Sequence, residues 1–353
     1  MSAEGPRRPA CGVGRRRTRP GVLSTGRKAV GAYQSIAWFY ATSTGQRAIR
    51  HGTKGPGGVV VSDEASGIDS LGWADRAIRR ATGAVPAGGT EAPLAPYALA
   101  MQTSTGHLST ATDPKAGYKP FDRAANGHLP GEGGAVLMVE EAAAARARSA
   151  PAGYGVPAGY AATHDAHHYR MFVSDGRQYS RAIELALQRA GVRPDKVDMV
   201  LADGAGRPEA DAAEAKALCA VFGPHRVPVT APHGLVGRLL AGGSALSVAT
   251  ALLAMRNGVI PPVGNLDETD PSYGLDWCAN RANAGWRPFL SPRAARLDST
   301  ARWCYVRARQ PRAESARLCG ERRIPGRSRG FDDQMMTSRS KHPQSSGRWT
   351  GAA

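Results

Sequence analysis

The stretch from Ser244 to Asn257 most limits what this chain can fold into. Ala245, Leu246, Val248, Ala249, Ala251, Leu252, Leu253, Ala254 and Met255 leave it almost no polar face, and its length suits a helix. A helix that is apolar all round has to be covered on every side. It is too short to cross a bilayer, which takes about 20 apolar residues. The rest of the chain must therefore supply a layer on each side of it, as in a helix held between two sheets.

The flanking sequence has the rhythm that provides such layers. Between Ala29 and Glu141 strand and helix signals alternate, most clearly from Gly57 to Gly89. Gly57–Ser62 reads as a short buried strand rich in β-branched residues. Ala65–Thr82 places Ile68, Leu71, Ala74, Ala77 and Ile78 at helical spacing, and Ala84–Gly89 returns as a strand. Residues 142–157, rich in Ala, Arg, Gly and Pro, read as a connector. A second alternation follows it: a helix over Gln178–Ala190 ended by Gly191, a strand over Val197–Ala202, a helix over Glu209–Phe222 closed by Gly223, and a strand over Val227–Thr230. Two such halves around buried helices predict a layered α/β architecture. No short-period repeat is present.

The formal charge of +17 would point to nucleic acid or an anionic membrane if it were spread over a face. It is not. Residues 1–28 contribute +7 and residues 293–353 contribute +9, which leaves +1 for the body. Both ends are rich in Arg, Gly, Pro and Ser without apolar periodicity, a composition that predicts disorder over residues 1–23 and 302–353. The five cysteines (Cys11, Cys219, Cys278, Cys304 and Cys319) have neither a CxxC pair nor zinc-ligand spacing. No apolar run is long enough for a membrane span or a signal peptide. A soluble protein of the cytoplasm, without metal, cofactor, nucleic acid or membrane, is the expectation.

Three clusters could carry chemistry. Ser62-Asp63-Glu64-Ala65-Ser66-Gly67-Ile68-Asp69 joins a strand signal to a helix signal. By itself Glu64 reads as a carboxylate in the first helical turn, favoured by the helix dipole and the free N–H groups there. Gly131-Glu132-Gly133-Gly134 suggests a phosphate loop but lacks the Lys-Ser/Thr pair and precedes a strand, not a helix. Thr163-His164-Asp165-Ala166-His167-His168 is nearly contiguous, so a metal shell would need a special loop and distant ligands that the sequence does not offer.

These segments, taken in order, resemble the chain-length-factor subunits of bacterial aromatic (type II) polyketide synthases, relatives of the ketosynthases in the thiolase superfamily. The resemblance is carried by Ala32–Tyr40, Thr44-Gly45-Gln46, Ile49–Gly52, the turn around Glu64, Ser109–Pro114, Pro120-Phe121-Asp122, Pro130–Leu137 and Tyr160–Ala166. It covers Ser24–Arg293. It implies the five-layered αβαβα thiolase-like fold, with a partial N-terminal half over 24–141 and a C-terminal half over 158–301. The family's opening strand-helix-strand region and its closing Gly-rich turn and strand find no match, so a frame-shifted or incomplete gene is expected at both ends.

In a ketosynthase the turn before the helix carries a nucleophilic cysteine. Glu64 stands at that position, where chain-length factors usually have glutamine. The two histidine positions of a condensing site are held by Asp203, in Ala202-Asp203-Gly204-Ala205-Gly206, and by Arg238. His233 stands at the lysine position in His233-Gly234-Leu235-Val236-Gly237-Arg238. No thiolate can form at Glu64, and an arginine does not cycle protons near neutrality. An ion pair of Arg238 with Asp203 in the old cavity is expected, and no catalytic residue of the condensing site is retained. The resemblance thus implies a non-catalytic subunit that pairs with a catalytic ketosynthase, receives chains from an acyl carrier protein and sets polyketide length. The alternative is an acyltransferase or malonyl decarboxylase active in its own right, with Glu64 and Asp203 as acid and base.

Overall fold

The computed structural model describes residues 42–167, 173–278, 289–294 and 300–306. Its elements in chain order are α1 (Thr42–His51), α2 (Ser66–Arg79), β1 (Ala84–Glu91), α3 (Pro96–Thr103), β2 (Gly133–Glu140), α4 (Ala142–Ala147), β3 (Val156–Thr163), α5 (Arg177–Ala190), β4 (Met199–Leu201), α6 (Pro208–Phe222), β5 (Pro228–Thr230), α7 (Ala241–Asn257), β6 (Asp276–Trp277), β7 (Phe289–Ala294) and β8 (Thr300–Val306). Strands β1 and β2 pair antiparallel, from Ala84 opposite Glu140 to Glu91 opposite Gly133. The other six form one sheet in the order β3-β8-β7-β4-β5-β6. There β4 runs parallel to β5 and β7, and β8 runs antiparallel to β7 and β3.

Neighbouring residues of β4 show how the layers stack. Met199 and Leu201 pack into a core with Ile68 and Leu71 of α2 and Val248 and Leu252 of α7. Val200, between them, joins a second core with Ile183 and Ala186 of α5 and Leu218 of α6. Successive side chains of a strand leave on opposite faces, so one three-residue strand serves two layers. Helices α2 and α7 contact each other and both sheets, and α5 covers the far face of the larger sheet together with α6. The buried helix read from Ser244–Asn257 is α7, in the central layer.

Helices α2 and α7 meet closely at Gly67. A Cβ there would sit 2.8 Å from the Ala241 carbonyl oxygen and from the Ala245 amide nitrogen. Both are backbone atoms and cannot step aside as a side chain could. Gly67→Val should therefore destabilise the chain by about 1–3 kcal/mol, the usual cost of overpacking a close-packed interior. The urea unfolding midpoint reads this directly, and an unchanged midpoint would show that the two helices separate without cost.

Several expectations differ from what is observed. Gly57–Ser62 is not a strand: Val59 and Val61 are exposed, and the run has no ladder partner among the described residues. Three valines after Gly55-Pro56-Gly57-Gly58 cannot hold an extended ladder alone, since a strand gains its hydrogen bonds from a neighbour. Helix α7 is not covered all round, for Leu246 and Ala249 are half-buried and Leu253 is exposed. A sheet of two strands about 4.8 Å apart is too narrow to roof the whole helix. The same narrowness leaves the outer face of β1–β2 open, with Val136 47% and Met138 64% exposed. Four of the five expected layers are thus found among the described residues.

The connector expected at 142–157 contains α4, and β3 begins inside it at Val156. The boundary expected at 302 falls within β8, which pairs with both β3 and β7. The Arg-rich expectations for 1–23 and 307–353, and the Ala32–Tyr40 segment, lie outside the described residues.

Candidate functional site

Three loops from different parts of the chain meet at the N-termini of the central helices. The first is the tight turn Asp63–Ala65 that opens α2. Asp63 has φ +51°, an unfavourable conformation for a residue with a Cβ, and it delivers Glu64 into the interior. Ser66 Oγ donates to the Asp63 carbonyl at 2.6 Å and accepts the Ser62 amide at 2.9 Å, which closes the turn on itself. Asp69 anchors it from behind: it accepts the Ser62 hydroxyl at 2.5 Å and the Tyr160 hydroxyl of β3 at 2.7 Å. Ser244 of α7 donates to the Glu64 carbonyl at 2.9 Å, so both central helices hold this residue.

The second loop is Asp203–Gly206, after β4. Gly204 has φ +57° and Gly206 φ +68°, and a Cβ at Gly204 would lie 2.7 Å from Pro120, so glycine is needed there. Its amides turn inward to carboxylates of α6: Asp203 and Gly204 N–H bond Glu214 at 2.7 and 3.0 Å, and Gly206 N–H bonds Asp211 at 3.1 Å. The third loop brings Arg238 in just ahead of α7, followed by Leu240 at φ +45°, ψ −123°. Strain of this kind costs on the order of 1–3 kcal/mol per residue and persists only where the surroundings impose it. It survives here on both sides of a site whose ketosynthase side chains have been replaced.

The side chains these loops carry form one buried ion cluster. Arg238 is 0% exposed, Glu64 2% and Asp203 4%. Arg238 grips Glu64 with two nitrogens: Nε lies 2.5 Å from Oε1, and Nη2 bonds Oε2. The same Nη2 donates to Asp203 Oδ2 at 2.8 Å. Nη1 lies 3.4 Å from both the Tyr118 hydroxyl and the Gly204 carbonyl, and Tyr118 donates to that carbonyl at 2.7 Å. The expected pair of Arg238 with Asp203 is therefore present, with Glu64 as a third member.

Burial works against the charge on Arg238, but the carboxylates of Asp203 and Glu64 outweigh it and hold the guanidinium protonated well above its ordinary range. Two-nitrogen capture of a carboxylate by a planar guanidinium is the strongest geometry such a pair can adopt. It immobilises Glu64 and leaves a permanent cation where a condensing site needs a group that gives and takes a proton.

His233, the fourth substituted position, is buried and bonds elsewhere: its Nε2 lies 3.0 Å from Ser247 Oγ and 3.3 Å from the Gly243 carbonyl. The glycine cluster at 131–134 has a role that its sequence does not suggest. Gly131 N–H donates to the Arg238 carbonyl at 2.9 Å, and Arg238 N–H donates to Leu129 at 2.8 Å. A Cβ at Gly131 would fall 2.2 Å from the Val236 carbonyl, so the glycine lets the two loops clasp. In the histidine cluster, Thr163 ends β3 and His164 Nδ1 accepts the Ala166 amide at 2.8 Å, while His168 lies outside the described residues. Among the described residues no group of three His, Cys, Asp or Glu is placed to hold a metal.

Sequence reasoning missed Tyr118, Asp211 and Glu214. The last two carried a signal, a pair of acids three residues apart on the helix that follows a Gly-x-Gly turn. Burial lifts both to about 7, Glu214 with help from the charge of Asp203 and Asp211 with help from Glu214 against the amide of Phe121.

The model of the beta-ketoacyl synthase N-terminal domain matches residues 10–145, and that of the C-terminal domain matches residues 154–267. The beta-ketoacyl synthase 2 of the actinorhodin polyketide in Streptomyces coelicolor is 46% identical over 286 residues, 80% of this chain and 68% of that protein. The chain belongs to the beta-ketoacyl synthase family. The ketoacyl synthase beta subunit of the tetracenomycin polyketide synthase of Streptomyces glaucescens is 50% identical over 256 residues, 72% of this chain and 62% of that protein. Among solved structures, the ishigamide ketosynthase/chain length factor superposes with a TM-score of 0.74 at 26% identity, over 82% of this chain and 70% of that one. The fold is the thiolase-like fold of ketosynthases, and the chain spans about two thirds of the length of the curated relatives it matches.

Proposed function

We propose that this chain is a non-catalytic, ketosynthase-like subunit of an aromatic polyketide synthase, a chain-length factor that pairs with a catalytic ketosynthase in the cytoplasm. The observation that carries the reading is the buried Arg238–Glu64–Asp203 cluster. It fills the position of the nucleophile and of both histidines with groups that neutralise one another, while the strained turns and helix N-termini of the condensing scaffold remain. The naming of one relative as a beta subunit of a polyketide synthase supports the same assignment. The role in fixing polyketide length, and the delivery of chains by an acyl carrier protein, come from the family resemblance. No helix among the described residues is long and apolar enough to cross a membrane. The second reading, an independent acyltransferase or decarboxylase, has less support, because Glu64 and Asp203 are both committed to Arg238 and neither is placed to transfer protons.

The test is co-expression with an aromatic-polyketide ketosynthase subunit. The open face of β1–β2 and the exposed Leu253 of α7 predict that the chain alone aggregates, and that the pair elutes as a soluble complex. A soluble monomer that ignores the ketosynthase and consumes malonyl thioester of the carrier protein by itself would overturn the assignment.

A further inference from the structure

Two acids on one face of α6 stand behind the turn that carries Asp203. Glu214 accepts the Asp203 amide at 2.7 Å on Oε1 and the Gly204 amide at 3.0 Å on Oε2, and Tyr179 of α5 donates its hydroxyl to Oε1 at 2.5 Å. Asp211, one helical turn earlier, accepts the Gly206 amide at 3.1 Å and the Phe121 amide at 2.9 Å. Together they fasten both ends of the 203–206 turn and the loop that brings Tyr118 to Arg238. With Glu64 and Asp203 they place four buried carboxyl groups around the guanidinium of Arg238.

One cation cannot offset four carboxylates in a site from which water is excluded, since each unpaired buried charge costs several kcal/mol. Glu64 and Asp203 hold the direct contacts to Arg238. We propose that Asp211 and Glu214 are positioning residues that act as a proton-operated latch: protonated, they clamp the Asp203 turn against Arg238, and ionised, they repel Asp203 and loosen it. The charged or titratable groups that face the pair are Tyr179 from α5, Asp203 after β4, Arg238 ahead of α7, Glu64 across Arg238, and Tyr273, whose hydroxyl burial and the Asp211 charge push up to about 12. None of these except Arg238 brings a positive charge. The latch holds for any role of the subunit, because it depends only on the turn and α6.

The direction of the pH effect follows from the raised values. In the unfolded chain Asp211 and Glu214 titrate at their ordinary 3.8 and 4.5, and in the folded chain both titrate at about 7. Their stabilisation is full below the unfolded values, fades as pH rises through the folded value, and is gone above it. Between these limits each group should raise the unfolding equilibrium constant by about tenfold per pH unit.

The experiment is a thermal unfolding series of the full chain across this pH range, with Glu214→Gln, Asp211→Asn and the double variant beside it. The expected result is a midpoint that falls towards neutrality in the parent, less steeply in each single variant and least in the double variant. Equal slopes in the parent and the double variant would overturn the latch. If the amide variants do not fold, the infrared carbonyl band of protonated carboxyl groups in the parent chain decides. The band should be present at about pH 6 and lost by about pH 8. Its absence at the lower pH, or its persistence at the higher, would show that the two acids do not exchange protons in this range.

Discussion

Arg238→Met is expected to unfold this chain or to bring it close to unfolding. The substitution keeps an unbranched side chain of comparable reach and removes the charge. Glu64 and Asp203 then face each other with no cation between them, in a site where neither is more than 4% exposed. Removing one partner of a buried ion pair costs about 3–5 kcal/mol, because the penalty of the charge left behind exceeds the attraction that was lost. Here two charges are left behind. A domain is stabilised by about 5–15 kcal/mol in all, so the loss consumes a large part of it. The interpretation is tested by the triple variant Arg238→Met, Glu64→Gln, Asp203→Asn, which removes the orphaned charges as well. Urea unfolding of the co-purified complex should show the triple variant recovering most of the loss. If it is no more stable than Arg238→Met, the defect comes from lost volume and not from unpaired charge.

How much of this could be read beforehand depends on the range over which each signal acts. The helices α2, α5, α6 and α7 were legible because their apolar spacing and their stop signals are local; Gly191 and Gly258, for example, end α5 and α7 in the left-handed conformation. The run Gly57–Ser62 misled because a strand is defined by its neighbour, and three valines carry no information about whether one is present. Of the site, the identities at 64, 203 and 238 could be read from their motifs, and so could the attraction between Asp203 and Arg238. That Glu64 would be the residue gripped by two nitrogens could not, since Glu64 and Arg238 are 174 positions apart. Tyr118 was invisible for the same reason, a lone tyrosine before Pro120-Phe121-Asp122 that gains its meaning from the Gly204 carbonyl across the fold.

Glu64→Cys tests the functional reading from the opposite side. It returns a thiol to the turn that would carry the nucleophile, and the turn itself, with Asp63 strained and Ser66 and Ser244 holding the backbone, stays as it is. The expected outcome is a less stable chain that still makes no carbon–carbon bond. The loss of stability arises because Arg238 keeps only Asp203 as an anion, so the cost should fall near the lower end of the roughly 3–5 kcal/mol for breaking a buried pair. Catalysis should not return because condensation needs more than a sulfur. Malonyl decarboxylation requires donors that stabilise the enolate as charge develops, and the positions that would supply them hold a carboxylate, Asp203, and a guanidinium already bonded to it at 2.8 Å. Asp203 would repel an enolate rather than bind it. The cysteine itself gains something, since a neighbouring guanidinium favours the thiolate, and alkylation by iodoacetamide would reveal such a reactive sulfur. A Glu64→Cys chain that alkylates readily but releases no condensed product from malonyl-loaded carrier protein would separate the nucleophile from the rest of the machinery. Condensation by that variant in the absence of a ketosynthase partner would mean that Asp203 and Arg238 can do the work of the two histidines, and the non-catalytic assignment would fall with it.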